Sequence, residues 1–194
     1  MVEVHEVDPA GAHDGDPVAL VLPGRGYSAQ APLLYWTSSA LAGAGWRTYA
    51  VEWHPTTDDL AQHGPRAFVE AAVATARTRI PEPPSLIVGK SLGAYALPST
   101  LEAGLAGVWL TPILKNDEVA GALRDAPDTH LAIGGTADAW WLPDRVAGTS
   151  AALVSVEGAD HSLEVGDWRA SVLRQAEVVE RVAAHADRIR DLHG

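Results

Sequence analysis

The sequence predicts an α/β domain: a mostly parallel sheet with helices on both faces. Three observations carry this. Short β-rich runs alternate with helical patterns along the chain. One of those runs, residues 18–22, is apolar at every position, as expected for a strand covered on both faces. Turns rich in Gly, Pro and Asp separate them. An alternation of this kind builds a parallel sheet. A length of 194 residues, with no linker, repeat or low-complexity tract, fits a single domain over 1–194.

Residues 2–7, Val-Glu-Val-His-Glu-Val, alternate with period two and predict a half-exposed edge strand. Residues 8–17 predict a turn region. Residues 18–22, Val-Ala-Leu-Val-Leu, predict a buried strand that Pro23-Gly24-Arg25-Gly26 ends. A helix follows over residues 30–42, stopping near Gly43, and then a strand over 46–51. Pro65 suits a first helical turn, and Val69, Val73, Ala76 and Ile80 mark one apolar face. Residues 81–84 break that helix. Residues 85–88 form a strand, followed by a sharp turn and a helix from Leu92, in which Pro98 predicts a kink or an early end. Residues 108–110 predict a strand and 116–124 a short helix. Residues 130–133 and 152–156 are the last two strands. The final helix starts after Asp167, a good N-cap. Trp168, Val172, Ala176, Val179, Val182, Ala186 and Ile189 mark its expected buried stripe.

Composition removes several function classes. The chain has no cysteine, which excludes disulfides, zinc–thiolate sites and thiol nucleophiles. A formal net charge of −11 disfavours a phosphate backbone as partner. No apolar run approaches the roughly 20 residues of a membrane span. The first eight residues lack the plan of a secretion signal, so a cytoplasmic location is expected.

Three motifs compete. Gly89-Lys90-Ser91 looks like the end of a phosphate-binding loop, but position 84 is Pro and residues 85–88 read as strand, so no loop is available to curl around a phosphate. Residues 24–29 fit the relaxed G-x-G-x-x-A dinucleotide fingerprint, with Glu52 as the ribose-binding acid. That reading predicts a nicotinamide-dependent oxidoreductase. Finally, Gly89-Lys90-Ser91-Leu92-Gly93 fits G-x-S-x-G between a strand and a helix, the setting of a nucleophile elbow.

An activated serine needs a base, and the base needs an acid to orient it. Functional groups in an open sheet collect at the carboxyl ends of strands. Asp138 follows the penultimate strand and His161 the last one. Asp144 and Asp160 are the rival acids. Ser91 as a plain helix cap and His161 as a surface histidine are the bland alternatives. Lys90 reads as an exposed charge near the elbow, Arg25 as a solvated loop arginine and His54 as a surface residue. Tyr27, Trp140 and Trp141 are candidates to wall a substrate pocket.

The order Ser91, Asp138, His161 resembles that of the α/β-hydrolase family, and most of all its small lid-free members related to dienelactone hydrolases and carboxylesterases. The resemblance implies a catalytic triad of Ser91, Asp138 and His161, an ester or thioester substrate of small-molecule size, and no metal or organic cofactor. It also implies an oxyanion hole from two backbone amides. One belongs to Leu92. The other lies after the first parallel strand, where Pro23 has no amide hydrogen, so Arg25 is the expected donor and Gly26 the alternative. Only residues 111–129 separate the two strands between which many relatives insert a cap. The resemblance therefore implies an open site. A non-catalytic binding protein on the same fold is the third alternative.

Overall fold

The computed structural model describes every residue except Met1, Pro9, Ala10, Ala12, Asp14 and Gly194. The turn expected over residues 8–17 thus lies partly outside the described residues. Among the described residues seven strands form one sheet: β1 (Val2–Val7), β2 (Val18–Leu22), β3 (Arg47–Trp53), β4 (Leu86–Lys90), β5 (Ala106–Leu110), β6 (His130–Gly135) and β7 (Ala152–Val156). Their spatial order is β1-β3-β2-β4-β5-β6-β7. Only β1 runs antiparallel, pairing Val4 with Val51 on β3. Its alternating exposure is that of an edge strand, as its period-two sequence predicts.

Helices α1 (Pro32–Gly43) and α6 (Trp168–His193) cover one face, while α3 (Pro65–Arg77), α4 (Leu97–Glu102) and α5 (Asp117–Arg124) cover the other. The pleat sorts β2 between them. Val18, Leu20 and Leu22 join Val69, Ala72 and Leu97, whereas Ala19 and Val21 join Leu34, Leu41, Val182 and Ile189. No cap is inserted: the connection from β5 to β6 carries only α5, whose N-cap Asn116 accepts from the amides of Glu118 and Val119. No helix among the described residues is long and apolar enough to cross a membrane.

Three details depart from expectation. Helix α2 (Thr57–His63) was not foreseen; a capping box between Thr56 and Asp59 starts it. The segment after Ser91 begins as a 3₁₀ stretch, Ser91–Ala96, and becomes α-helical only at Leu97. Pro98 therefore sits in a first turn, where its missing N–H is harmless. In α6 the buried positions are Ser171, Gln175, Val178, Val182, His185, Ala186 and Ile189, while Trp168, Val172 and Ala176 face solvent. The first turns of α6 are held by polar contacts instead. Ser171 Oγ accepts from the Val165 amide and donates to the Val165 carbonyl, and Gln175 Nε2 donates to the Ser162 carbonyl.

Candidate active site

Strand order reverses direction between β2 and β4, so the loops leaving their carboxyl ends diverge and open a crevice. Ser91 stands there. Its φ is +51°, a left-handed backbone that a serine adopts at a cost of about 1–3 kcal/mol. The flanking glycines are sterically required. A Cβ on Gly89 would lie 2.6 Å from the Gly93 carbonyl oxygen, and one on Gly93 would lie 2.6 Å from the Leu22 carbonyl oxygen. The Gly93 amide donates to the Pro23 carbonyl, fastening the turn to the end of β2.

Asp138 lies in the turn after β6 and His161 in the loop after β7. His161 Nε2 is 2.8 Å from Ser91 Oγ, and His161 Nδ1 is 2.7 Å from Asp138 Oδ2. A carboxylate only accepts, so Nδ1 carries the proton and Nε2 offers its lone pair to the serine hydroxyl. Asp138 is 7% exposed, and its other oxygen accepts from the Trp140 amide. Each rival carboxylate is placed elsewhere. Asp144 is exposed in a 3₁₀ turn. Asp160 Oδ1 accepts from the amides of Ser162 and Glu164, shaping the loop that presents His161.

The loop after β2 lies against the elbow: a Cβ on Gly24 would be 3.6 Å from Ser91 Cβ. Trp53 Nε1 donates to the Gly24 carbonyl, and the Gly24 amide donates to the Tyr27 carbonyl. The Leu92 amide lies in the first turn of its helical segment, where an N–H has no partner within the ladder. Arg25 extends its side chain to Thr57 Oγ1 at 2.6 Å. Glu52 Oε1 accepts from the Ala29 amide, and its other oxygen is buried without a hydrogen bond. This acid braces the loop; α1 starts only at Pro32, beyond the G-x-G-x-x-A stretch.

The candidate pocket aromatics divide. Trp140 is 41% exposed and meets the His161 ring edge-on with centroids 4.4 Å apart, so it flanks the His161 side chain. The Tyr27 hydroxyl accepts from the Leu33 amide. Trp141 is a correction to the pocket reading. It is 5% exposed and donates from Nε1 to Ser155 Oγ. Its ring fills the space where a Cβ on Gly134 would come within 2.2 Å. It belongs to the core rather than to a pocket wall. His54 is exposed, as expected.

Lys90 is the main surprise. Expected to be exposed, it is 1% exposed, because the last position of a central strand lies between covered neighbours. Its Nζ donates to the His161 carbonyl at 3.0 Å and to Thr111 Oγ1 at 3.2 Å, and lies 4.4 Å from the centroid of the Tyr27 ring. Burial pushes its ammonium down from 10.5 to about 8, against the opposing pull of Asp138, Asp160 and Glu164. The sequence offers one hint, the apolar-or-Gly run 86–89, that the strand ending at Lys90 is covered; it does not say whether the ammonium reaches water.

No protein-family model and no curated protein sequence matches the chain. Its fold is similar to that of several solved structures. A serine hydrolase without lid from Xanthomonas campestris is 17% identical, with 96% of this chain and 88% of that one covered and a TM-score of 0.67. A dienelactone hydrolase from Anabaena variabilis is 20% identical, with coverage of 92% and 89% and a TM-score of 0.63. An esterase domain from Rhodothermus marinus is 18% identical, with coverage of 97% and 98% and a TM-score of 0.64. By its strand order, its uncapped β5–β6 connection and these likenesses, the chain has the α/β-hydrolase fold without a lid.

Proposed function

We propose that the protein is a serine hydrolase that cleaves a carboxylic ester or thioester through an acyl-enzyme intermediate. The observation that carries this reading is the unbroken hydrogen-bond chain from Asp138 through His161 to Ser91, at 2.7 and 2.8 Å. In this reading His161 takes the hydroxyl proton as Ser91 Oγ attacks the carbonyl carbon. Asp138 holds the imidazole in the tautomer that can accept and stabilises the imidazolium that forms. The amides of Leu92 and Arg25 receive the developing oxyanion. His161 then protonates the leaving alcohol or thiol, and the same base activates the water that frees the acid. Trp140 flanks the substrate beside the base.

The test is labelling with a fluorophosphonate, followed by peptide mapping. The expected result is a single adduct on Ser91, and loss of both the adduct and p-nitrophenyl ester turnover in Ser91→Ala with the fold retained. Turnover that survives in Ser91→Ala would remove the assignment.

A further inference from the structure

Lys90 is the buried group that this mechanism leaves unused. Among the described residues no ion pair neutralises it. Its three N–H directions are instead taken by a carbonyl, a hydroxyl and an aromatic face. An apolar side chain of the same length would suit such a place better, since an unpaired buried cation is unfavourable. What distinguishes the position is what the contacts join. Lys90 immediately precedes Ser91. His161 belongs to the loop that follows β7, and Thr111 follows β5 with a left-handed φ of +47°. Tyr27 sits in the loop that follows β2, where its carbonyl holds the Gly24 amide.

We propose that Lys90 is a positioning residue whose ammonium holds the His161 loop and the Gly24–Tyr27 loop in register with Ser91. Its consequence for reactivity rests on the serine-hydrolase reading; the tethering itself does not. The groups facing Lys90 are the Tyr27 phenol, the Thr111 hydroxyl and the His161 carbonyl, with Asp138, Asp160 and Glu164 acting at longer range. With its proton gone, two charge-assisted hydrogen bonds become neutral ones of roughly half the strength, and the attraction to the Tyr27 ring ends. Reactivity of Ser91 therefore falls on the alkaline side as Lys90 titrates.

The chain has no cysteine, so Lys90→Cys carries a unique thiol. Alkylated under denaturing conditions with 2-bromoethylamine and refolded, it regains an ammonium on a side chain of lysine length. Alkylated with 1-bromopropane, it gains an apolar side chain of that length. The readout is the rate of fluorophosphonate labelling of Ser91 against pH, beside Lys90→Met, which needs no refolding. The expected result is wild-type reactivity, to within about threefold, in the amine arm. Its alkaline fall is displaced to lower pH, because the thioether sulfur makes the amine less basic. The propyl arm and Lys90→Met should be folded but slower by about 10², the scale of a misplaced reacting group. Labelling of either at the wild-type rate, or an alkaline fall that stays in place in the amine arm, overturns the proposal.

Hydrogen exchange of residues 158–165 separates the two readings. If the wild type is inert to the probe yet protection of this loop drops about tenfold in Lys90→Met, the tethering stands and the hydrolase reading fails. If the wild type is inert and protection is unchanged, the tethering fails as well.

Discussion

Raising the pH should stabilise this protein, and Lys90 supplies the reason. In the unfolded chain a lysine titrates near 10.5; in the fold Lys90 is depressed to about 8 by burial. Below about pH 8 both states carry the ammonium, and the full penalty of burying it is felt. Above that, the native state releases its proton first, while the unfolded chain keeps one until about 10.5. The unfolded state then binds more protons, so stability rises with pH. At about 1.4 kcal/mol per pH unit, the displacement amounts to about 3 kcal/mol in all. About 2 kcal/mol of it should appear between pH of about 7.5 and 9.5. The phenols of Tyr27, Tyr49 and Tyr95 are raised by burial and act with the opposite sign above pH 10, so the measurement stops short of that range. The assay is urea unfolding of the wild type and Lys90→Met across this window. The wild-type unfolding free energy should climb relative to that of Lys90→Met by about 2 kcal/mol. Parallel pH profiles in the two proteins would refute the claim that a buried, cationic Lys90 is carried at the expense of stability. Together with slower labelling of Ser91 in Lys90→Met, the climb would mark a trade of stability for site geometry.

Three further outcomes are expected. Asp138→Asn keeps the shape of the acid but favours the wrong imidazole tautomer, so ester turnover should fall by about 10³–10⁴ with the melting temperature little changed; turnover within about tenfold of wild type would place the orienting acid elsewhere. Gly93→Ala forces a Cβ to 2.6 Å from the Leu22 carbonyl, which should cost about 1–3 kcal/mol in urea unfolding and loosen the elbow; an unchanged midpoint would mean that the turn has room to spare. His130 is fully buried, accepting from Trp109 Nε1 and donating to the Leu105 carbonyl, with its pKa pushed down from 6.5 to about 4 by burial. The unfolded chain takes up this proton first as pH falls, so up to about 3 kcal/mol of stability should vanish between pH 6.5 and 4. A His130 resonance titrating near 6.5 in the folded protein would contradict this.

Much of the molecule was legible from residue order alone. The wholly apolar run 18–22 announced a strand covered on both faces, and the pleat divides it between two cores. The two glycines around Ser91 announced a crowded turn, and both prove to sit where a Cβ would meet a carbonyl oxygen. Asp138 and His161 could be proposed because strand ends in an open sheet share one rim. Helix α2 carried its own signal in Thr56 and Asp59, although its short polar turns gave no apolar face to detect.

Other features required the assembled chain. The start of α6 is anchored by Ser171 and Gln175 through hydrogen bonds, so a stripe drawn through its apolar residues puts Trp168 and Val172 on the wrong side. Trp141 looked like a companion of Trp140, yet the space left by Gly134 on β6 and a hydrogen bond to Ser155 on β7 draw it into the core. Lys90 is the sharpest case. Its charge argues for solvent, and only the covering of a central strand by loops from distant parts of the chain decides otherwise. Local spacing and backbone sterics act over a few residues, and so they can be read along the sequence. Which side chains lose water, and which polar groups replace it, depends on neighbours far along the chain, as Thr111 and His161 are from Lys90, 21 and 71 residues away. That choice is made by the tertiary structure.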